Sequence, residues 1–356
     1  MKIDLLCNDG SPLGVVPGDI YGRGVGGAEL SMLTWATTMA ARGHQVRVFN
    51  DPKPPGVHDG VEFLPRSAFE PRDGTRDAFV IYRSPNAHTK AGQAAIKVHW
   101  SMDQFTVGNY SLDIVPHVDT IVCISPYHVQ DYRNRYHPPV EKMGYLDLGV
   151  KLADYDQKVE KVHGLCIFCS MPDRGLRHLH PLWARILEQE PGATLVITGD
   201  YTLWGAKNPG NHQHRLQWLH TPGVKFVGNI PREELVKAQL EAQVHAYPCV
   251  YKELFCIAAA ECQVAGAVPI TTPTGALATT NAFGFLLPGN ILASRWQHMF
   301  VKAVIAAMRM TNAERETMRA QARARFDWNV ICGQWETLLE TGQFPEGHRG
   351  DQLGKP

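Results

Sequence analysis

Short apolar runs rich in β-branched residues alternate with stretches of helical period along most of the chain, the pattern of α/β domains built on parallel sheets. In the first half the runs IDLLC (3–7), QVRVF (45–49), VEFL (61–64), AFVIY (78–82), IKVHW (96–100) and TIVCIS (120–125) predict strands. Between the first two, a helix is expected from about Gly27 to Arg42. Leu30, Leu33, Thr37 and Ala40 recur at helical spacing there, and Gly43 closes the segment. The pattern lapses over YLDLGVKLADYDQKVEKVHG (144–163) and resumes with the strands LCIFCS (165–170), TLVITG (194–199), VKFVG (224–228), VHAYP (244–248) and VPITT (268–272). One domain is therefore expected over 1–155 and a second over 156–325. Residues 294–325 predict one continuous helix, 326–343 a further helix, and 344–356 an aperiodic tail.

Composition narrows the class. The 356 residues carry 35 Lys+Arg against 35 Asp+Glu, so no basic excess points to nucleic acid. No apolar run reaches the roughly 18–20 residues that span a bilayer. The opening MKIDLLCNDG places Asp4 in a very short apolar patch, unlike a secretory signal. A soluble, cytoplasmic protein is expected, with membrane contact at most peripheral. Cysteines at 7, 123, 166, 169, 249, 256, 262 and 332 are expected to be buried thiols. Cys166 and Cys169 form a CxxC, but residues three apart on a strand point to opposite faces and cannot share one metal.

The segment between the first strand and the first helix, DGSPLGVVPGDIYGRGVGGAEL, places glycines at 10, 14, 18, 22, 24, 26 and 27. A glycine-rich loop entering a helix N-terminus offers backbone N–H groups and a positive dipole end to an anion. Gly22, Gly24 and Gly27 also satisfy GxGxxG, with Asp51 at the end of the next strand. That pattern admits an NAD(P)-dependent oxidoreductase. Against it, about fourteen residues separate Cys7 from Gly22, where the fingerprint should follow its strand at once.

The stretch YKELFCIAAAECQVAGAVPITTPTGAL (251–277) carries Glu253 and Glu261, eight residues apart, flanking an alanine-rich helical pattern. Two carboxylates so placed can line one cleft and accept hydrogen bonds from vicinal hydroxyls of a sugar or ribose. An equally simple reading puts Glu253 at a helix N-terminus and pairs Glu261 with an arginine.

Glu253-Leu254-Phe255-Cys256 through Glu261, followed by Gly266-Ala267-Val268-Pro269-Ile270, resembles the E-x7-E motif of family-4 retaining glycosyltransferases of GT-B fold. Three further regions resemble that family in the same order: Gly26-Gly27-Ala28-Glu29 with the exit Arg42-Gly43-His44-Gln45-Val46, the turn Ser170-Met171-Pro172-Asp173-Arg174-Gly175-Leu176, and Phe326-Asp327-Trp328 before the last helix. The resemblance implies an α/β GT-B fold of two Rossmann-like domains facing across a cleft, the last helix crossing back to the first. It implies transfer of a hexose-like sugar, with retention and without metal, from a UDP- or GDP-linked donor to a glycan, glycolipid or small-molecule hydroxyl. Glu253 would hold the donor sugar and Glu261 the ribose. Arg174, Gly26, Gly27 and the backbone of Leu254, Phe255, Cys256 and Ile257 would stabilise the diphosphate. No cofactor beyond the donor is expected.

Two departures matter. Relatives carry an arginine about five residues before the cation that Arg174 represents, and Cys169 stands there instead; Arg23, Lys207 and Lys252 are candidates to replace it. The family's cleft histidine has its counterpart in KVHWSMDQF, which offers His99 and Asp103 as catalytic candidates; a second register puts the pair on Met102-Asp103, and a core histidine is an equally simple reading of His99. The pairs His178/His180 and His212/His214 are expected on solvated faces, and Asp154-Tyr155-Asp156 is an incidental DxD. A non-catalytic sugar-nucleotide-binding module is the remaining alternative.

Overall fold

The computed structural model describes residues 1–7, 14–22, 24–84, 87–106, 108–204 and 210–353, and Gly10, Arg23 and Lys207 lie outside them. The chain divides into two compact units: Met1–Asp19, Gly27–Leu148 and Trp328–Pro356 form the first, Ile20–Gly26 and Gly149–Asp327 the second.

The first unit is built on strands β1 (Lys2–Cys7), β2 (Gln45–Phe49), β3 (Gly56–His58), β4 (Val61–Leu64), β5 (Ala78–Tyr82), β6 (Ile96–Trp100), β7 (Thr120–Cys123) and β8 (Met143–Tyr145). They lie in the order β3-β4-β2-β1-β5-β6-β7-β8, parallel except for β3. β1, β5 and β7 are buried at nearly every position, as strands covered on both faces must be. The strand expected over 120–125 stops at Cys123 because Ser125 accepts a hydrogen bond from the His128 amide and caps the helix Pro126–Tyr136. The short strands β3 and β8 are beneath what periodicity can register.

In the second unit β9 (Leu165–Cys169), β10 (Thr194–Thr198), β11 (Val224–Gly228), β12 (Val244–Tyr247), β13 (Val268–Thr271) and β14 (Phe285–Leu286) form a parallel sheet in the order β11-β10-β9-β12-β13-β14. Between them run α1 (Leu176–Gln189), α2 (Arg232–Glu241) and α3 (Ile257–Ala265), followed by α4 (Ser294–Met308) and α5 (Asn312–Phe326). Leu176, Leu179, Leu182, Trp183 and Ile186 of α1 recur at helical spacing and enter the core with Cys166 and Phe168 of β9 and Phe300 and Val304 of α4. On the opposite face Leu165, Ile167 and Cys169 pack with Leu235 of α2 and Cys262 of α3. Cys166 and Cys169 thus point to opposite faces, as strand geometry requires.

The continuous helix expected over 294–325 is broken after Met308. Thr311 accepts from the Glu314 amide while Glu314 reaches back to the Thr311 amide, a capping box that starts a second helix. The last helix, Trp328–Thr341, belongs to the first unit, where Trp335 packs against Trp35 and Trp100 with ring centroids 5.3 and 4.9 Å apart.

Candidate functional site

Strand order in the second sheet reverses between β9 and β12, and at such a switch point the loops leaving the two strand ends diverge to opposite faces and open a crevice. The loop after β9 supplies Arg174 and the loop after β12 supplies Glu253. Arg174 Nη1 donates to both Glu253 oxygens, at 2.9 and 2.8 Å, and the guanidinium lies over the Tyr251 ring, 4.5 Å from its centroid. Tyr247 donates its hydroxyl to Glu253 Oε1 at 2.6 Å. Its one proton is thereby used, so Ser170, 3.1 Å away, donates to the Tyr247 oxygen. Burial and the neighbouring Glu253 keep the Tyr247 phenol protonated, well above its ordinary range. Burial alone would lower the Arg174 pKa, but the charge of Glu253 reverses this and holds it above the ordinary value. Glu253 is only 3% exposed, yet an oxygen lone pair of Oε2 is left for a further donor.

Backbone geometry fixes both loops. A Cβ on Gly175, which precedes α1, would lie 2.5 Å from the Pro248 carbonyl oxygen, so only glycine lets the turn close against the end of β12. Gly275 has φ +63°, and a Cβ there would come within 2.4 Å of the Glu253 carbonyl oxygen. Cys256 adopts φ 73° immediately before α3, an uncommon conformation for a residue other than glycine. Leu254, Phe255 and Cys256 are buried, and Ile257 opens α3, whose first amides have no partner within the helix.

Glu261 is the fifth residue of α3 and 3% exposed. Arg232 Nη1 donates to its Oε1 at 2.7 Å and Gln239 Nε2 to its Oε2 at 3.2 Å. Arg232 also donates to Asp154 Oδ2 (3.2 Å) and to the Tyr155 hydroxyl (3.3 Å), which donates to Gln239 Oε1 (2.6 Å). Burial would lower the Arg232 pKa, but Glu261 first, then Tyr155 and Asp154, outweigh it and hold it above its ordinary value. A pocket of about 460 Å³, lined by Tyr21, Asp154, Arg232 and Glu233 among others, opens beside this network. The arginine expected as one possible partner of Glu261 is therefore Arg232, which no motif in the sequence marks.

His99 needs correction as a catalytic candidate. It is 0% exposed, its Nε2 donates to the Arg83 carbonyl at 2.9 Å, and its Nδ1 accepts from the Tyr110 hydroxyl at 3.0 Å. With both nitrogens occupied it is a core histidine, pushed down to about 4 by burial. Asp103 is held by Arg83 through Nε (2.6 Å) and Nη2 (2.8 Å), with Glu29 of the GGAE segment 3.8 Å from the same guanidinium. Arg83 has φ 66° at the C-terminal end of β5. This strained arginine, beside the switch point between β1 and β5 of its own sheet, carried no motif in the sequence.

The geometry departs from the dinucleotide fingerprint: a short helix, Asp19–Gly22, precedes Gly24, and Asp51 accepts from the Arg66 backbone amide (2.7 Å) and guanidinium. Gly26 ends a segment of the second unit and Gly27 begins the helix Gly27–Ala41 of the first. The DxD residues are engaged separately, Asp154 with Arg232 and Asp156 with Arg323. His178 is in contact with Arg177 and His180 with Trp218, His214 lies near Tyr201, and the His212 side chain lies outside the described residues. Lys252 is exposed beside Glu253.

Among the described residues no helix is long and apolar enough to cross a membrane. No curated protein matches the sequence significantly. Residues 171–325 match the family described as glycosyl transferases group 1. Among solved structures the chain is similar to a sucrose-phosphate synthase from Thermosynechococcus elongatus (TM-score 0.67, 16% identity, 96% of this chain and 98% of that one). It is likewise similar to the Anabaena protein HepE in complex with UDP-glucose (0.68, 18%, 96% and 100%). WaaG, a glycosyltransferase involved in lipopolysaccharide biosynthesis, matches at 0.67 with 15% identity over 96% and 100%. The chain has the α/β GT-B glycosyltransferase fold, and the part of it that holds Arg174, Glu253 and Glu261 matches the group 1 glycosyl transferases.

Proposed function

We propose that this protein is a retaining glycosyltransferase that moves a hexose-like sugar from a UDP- or GDP-linked donor to an acceptor hydroxyl. The observation that carries the reading is the Arg174–Glu253 pair at the switch point of a sheet whose sequence matches group 1 glycosyl transferases. As the glycosidic bond to the diphosphate breaks, negative charge gathers on the leaving oxygens. Arg174, whose Nη1 alone is engaged by Glu253, offers Nε and Nη2 to those oxygens, and the first amides of α1 and α3 add their dipoles. Glu253 accepts from a donor-sugar hydroxyl through the free lone pair of Oε2. Glu261 has two lone pairs beyond those taken by Arg232 and Gln239, enough for the ribose diol. No side chain serves as a covalent nucleophile, and the chemistry needs no metal at the diphosphate.

Structural likeness to a protein holding UDP-glucose favours a uridine donor for the first trial. Thermal-shift screening against UDP, GDP, ADP, their sugar conjugates and NAD(P) tests the proposal. A nucleoside diphosphate at about 100 times its dissociation constant should stabilise by about 2.7 kcal/mol. Glu261→Ala should abolish the shift, and Arg174→Ala should abolish sugar release from the conjugate. NMR of the product's anomeric proton then reports retention. Stabilisation by NAD(P) alone, or by no nucleotide, overturns the proposal. Binding without turnover selects the non-catalytic module.

A further inference from the structure

Beneath the Glu261 network lies a cluster that the glycosyl-transfer reading does not use. Cys169 ends β9, His245 sits in β12 and Cys262 lies on α3, and their ligand atoms all fall within 4.8 Å of one another. The two sulfurs are 3.7 Å apart. His245 is 0% exposed, and among the described residues neither of its ring nitrogens has a hydrogen-bond partner. A buried imidazole without a partner for either nitrogen is costly, and native interiors rarely leave one so. Gln239 extends its amide N–H to the Cys169 sulfur at 3.7 Å while also donating to Glu261, the outer-shell contact that typically orients a thiolate ligand.

We propose that Cys169, His245 and Cys262 form a binding site for a soft divalent d¹⁰ cation, Zn²⁺ being the fitting ion, with a water molecule as its fourth, tetrahedral ligand. Two thiolates and an imidazole nitrogen are a donor set that zinc takes at about 2.0–2.3 Å. Binding displaces the two thiol protons to solvent, and the two resulting thiolates cancel the charge of the dication, so the loaded cluster is neutral and suits a buried position. Cys169, the partly exposed member, marks the side of entry. The ion would tie the end of β9 to α3 one residue from Glu261.

Elemental analysis of the purified full-length protein, prepared without a metal-binding tag, is expected to find one zinc per chain. After chelation, Co²⁺ should restore the cluster with thiolate-to-metal charge-transfer bands and the intense visible bands of a tetrahedral site. Cys262→Ser and His245→Gln should each weaken Zn²⁺ binding by more than the ~10–100-fold that outer-shell changes cost. Cys166→Ser, on the opposite face of the same strand, should leave it unchanged, which separates ligand loss from general destabilisation. Absence of zinc together with a featureless Co²⁺ titration overturns the proposal. So does a mass lower by two hydrogens under non-reducing conditions in metal-free protein as isolated, which would identify a disulfide instead. Nucleotide binding is not the readout, so failure here leaves the transferase proposal standing.

Discussion

Arg232 shows how one side chain can decide the fate of a buried acid. With Glu261 almost fully buried, removal of its cation leaves a charge with Gln239 as its remaining donor, and Arg232→Met should cost about 3–5 kcal/mol in urea denaturation. The double variant Arg232→Met/Glu261→Leu should regain most of that loss without regaining nucleotide binding, since removing both charges also removes the desolvation penalty. Equal instability of the single and double variants would contradict the pairing. His99 gives a second residue-scale expectation. Burial holds it at about 4 in the folded chain against an ordinary 6.5, so the unfolded chain takes up its proton first as pH falls. Its contribution is complete above about pH 6.5 and is lost progressively down to about pH 4, on the order of 3 kcal/mol. His99→Gln should therefore flatten the decline of stability over that window, while His128, lowered by burial to about 3, continues to contribute. An unchanged slope would show that His99 is already protonated in the folded protein. Neither partner was legible in the sequence, because Arg232 is 29 residues from Glu261 along the chain and Tyr110 supports His99 from a separate helix.

At the scale of elements, the turn from β9 into α1 sets the position of Arg174, and Gly175 leaves no room for a Cβ against the end of β12. Gly175→Ala forces the Cβ and the Pro248 carbonyl apart, at a cost of about 1–3 kcal/mol. Because Val250 donates its amide to the Arg174 carbonyl at 3.0 Å, that displacement should also loosen the Arg174–Glu253 pair. Affinity for the nucleoside diphosphate, measured by calorimetry, should fall at least about tenfold, one decade being about 1.4 kcal/mol. A stable variant with unchanged affinity would show that the turn does not govern the site. The break between α4 and α5 is the opposite case: Thr311-Asn312-Ala313-Glu314 is a local capping box that ends the run, although the helical composition on either side masks it in the sequence.

At the scale of the whole molecule, the segment after Asp327 completes the first unit although it follows the second in sequence. Trp335 is fully buried against Trp35 of the helix Gly27–Ala41 and Trp100 of β6, and Arg42 and His44 both bind Glu336 of the same terminal helix. Trp335→Ala should destabilise the first unit by about 3–5 kcal/mol, read from near-ultraviolet circular dichroism during denaturation. Retention of the tryptophan signal to the same denaturant concentration would contradict that role.

The parallel α/β class and the positions of most strands follow from patterns a few residues wide: apolar runs, helical spacing and turn glycines are local consequences of backbone geometry and solvent exclusion. E-x7-E, the GGAE segment and the PDRGL turn are local in the same sense, so the candidate donor residues were visible before any folding was considered. Partnership was not. That Glu253 meets Arg174, that Glu261 meets Arg232, that Arg83 rather than His99 flanks Asp103, and that Cys169 leaves Cys166 to face His245 and Cys262 are decided by strand order and helix packing. Chain closure brings residues tens of positions apart to hydrogen-bond distance, and no sequence spacing encodes which of many arginines or cysteines will arrive.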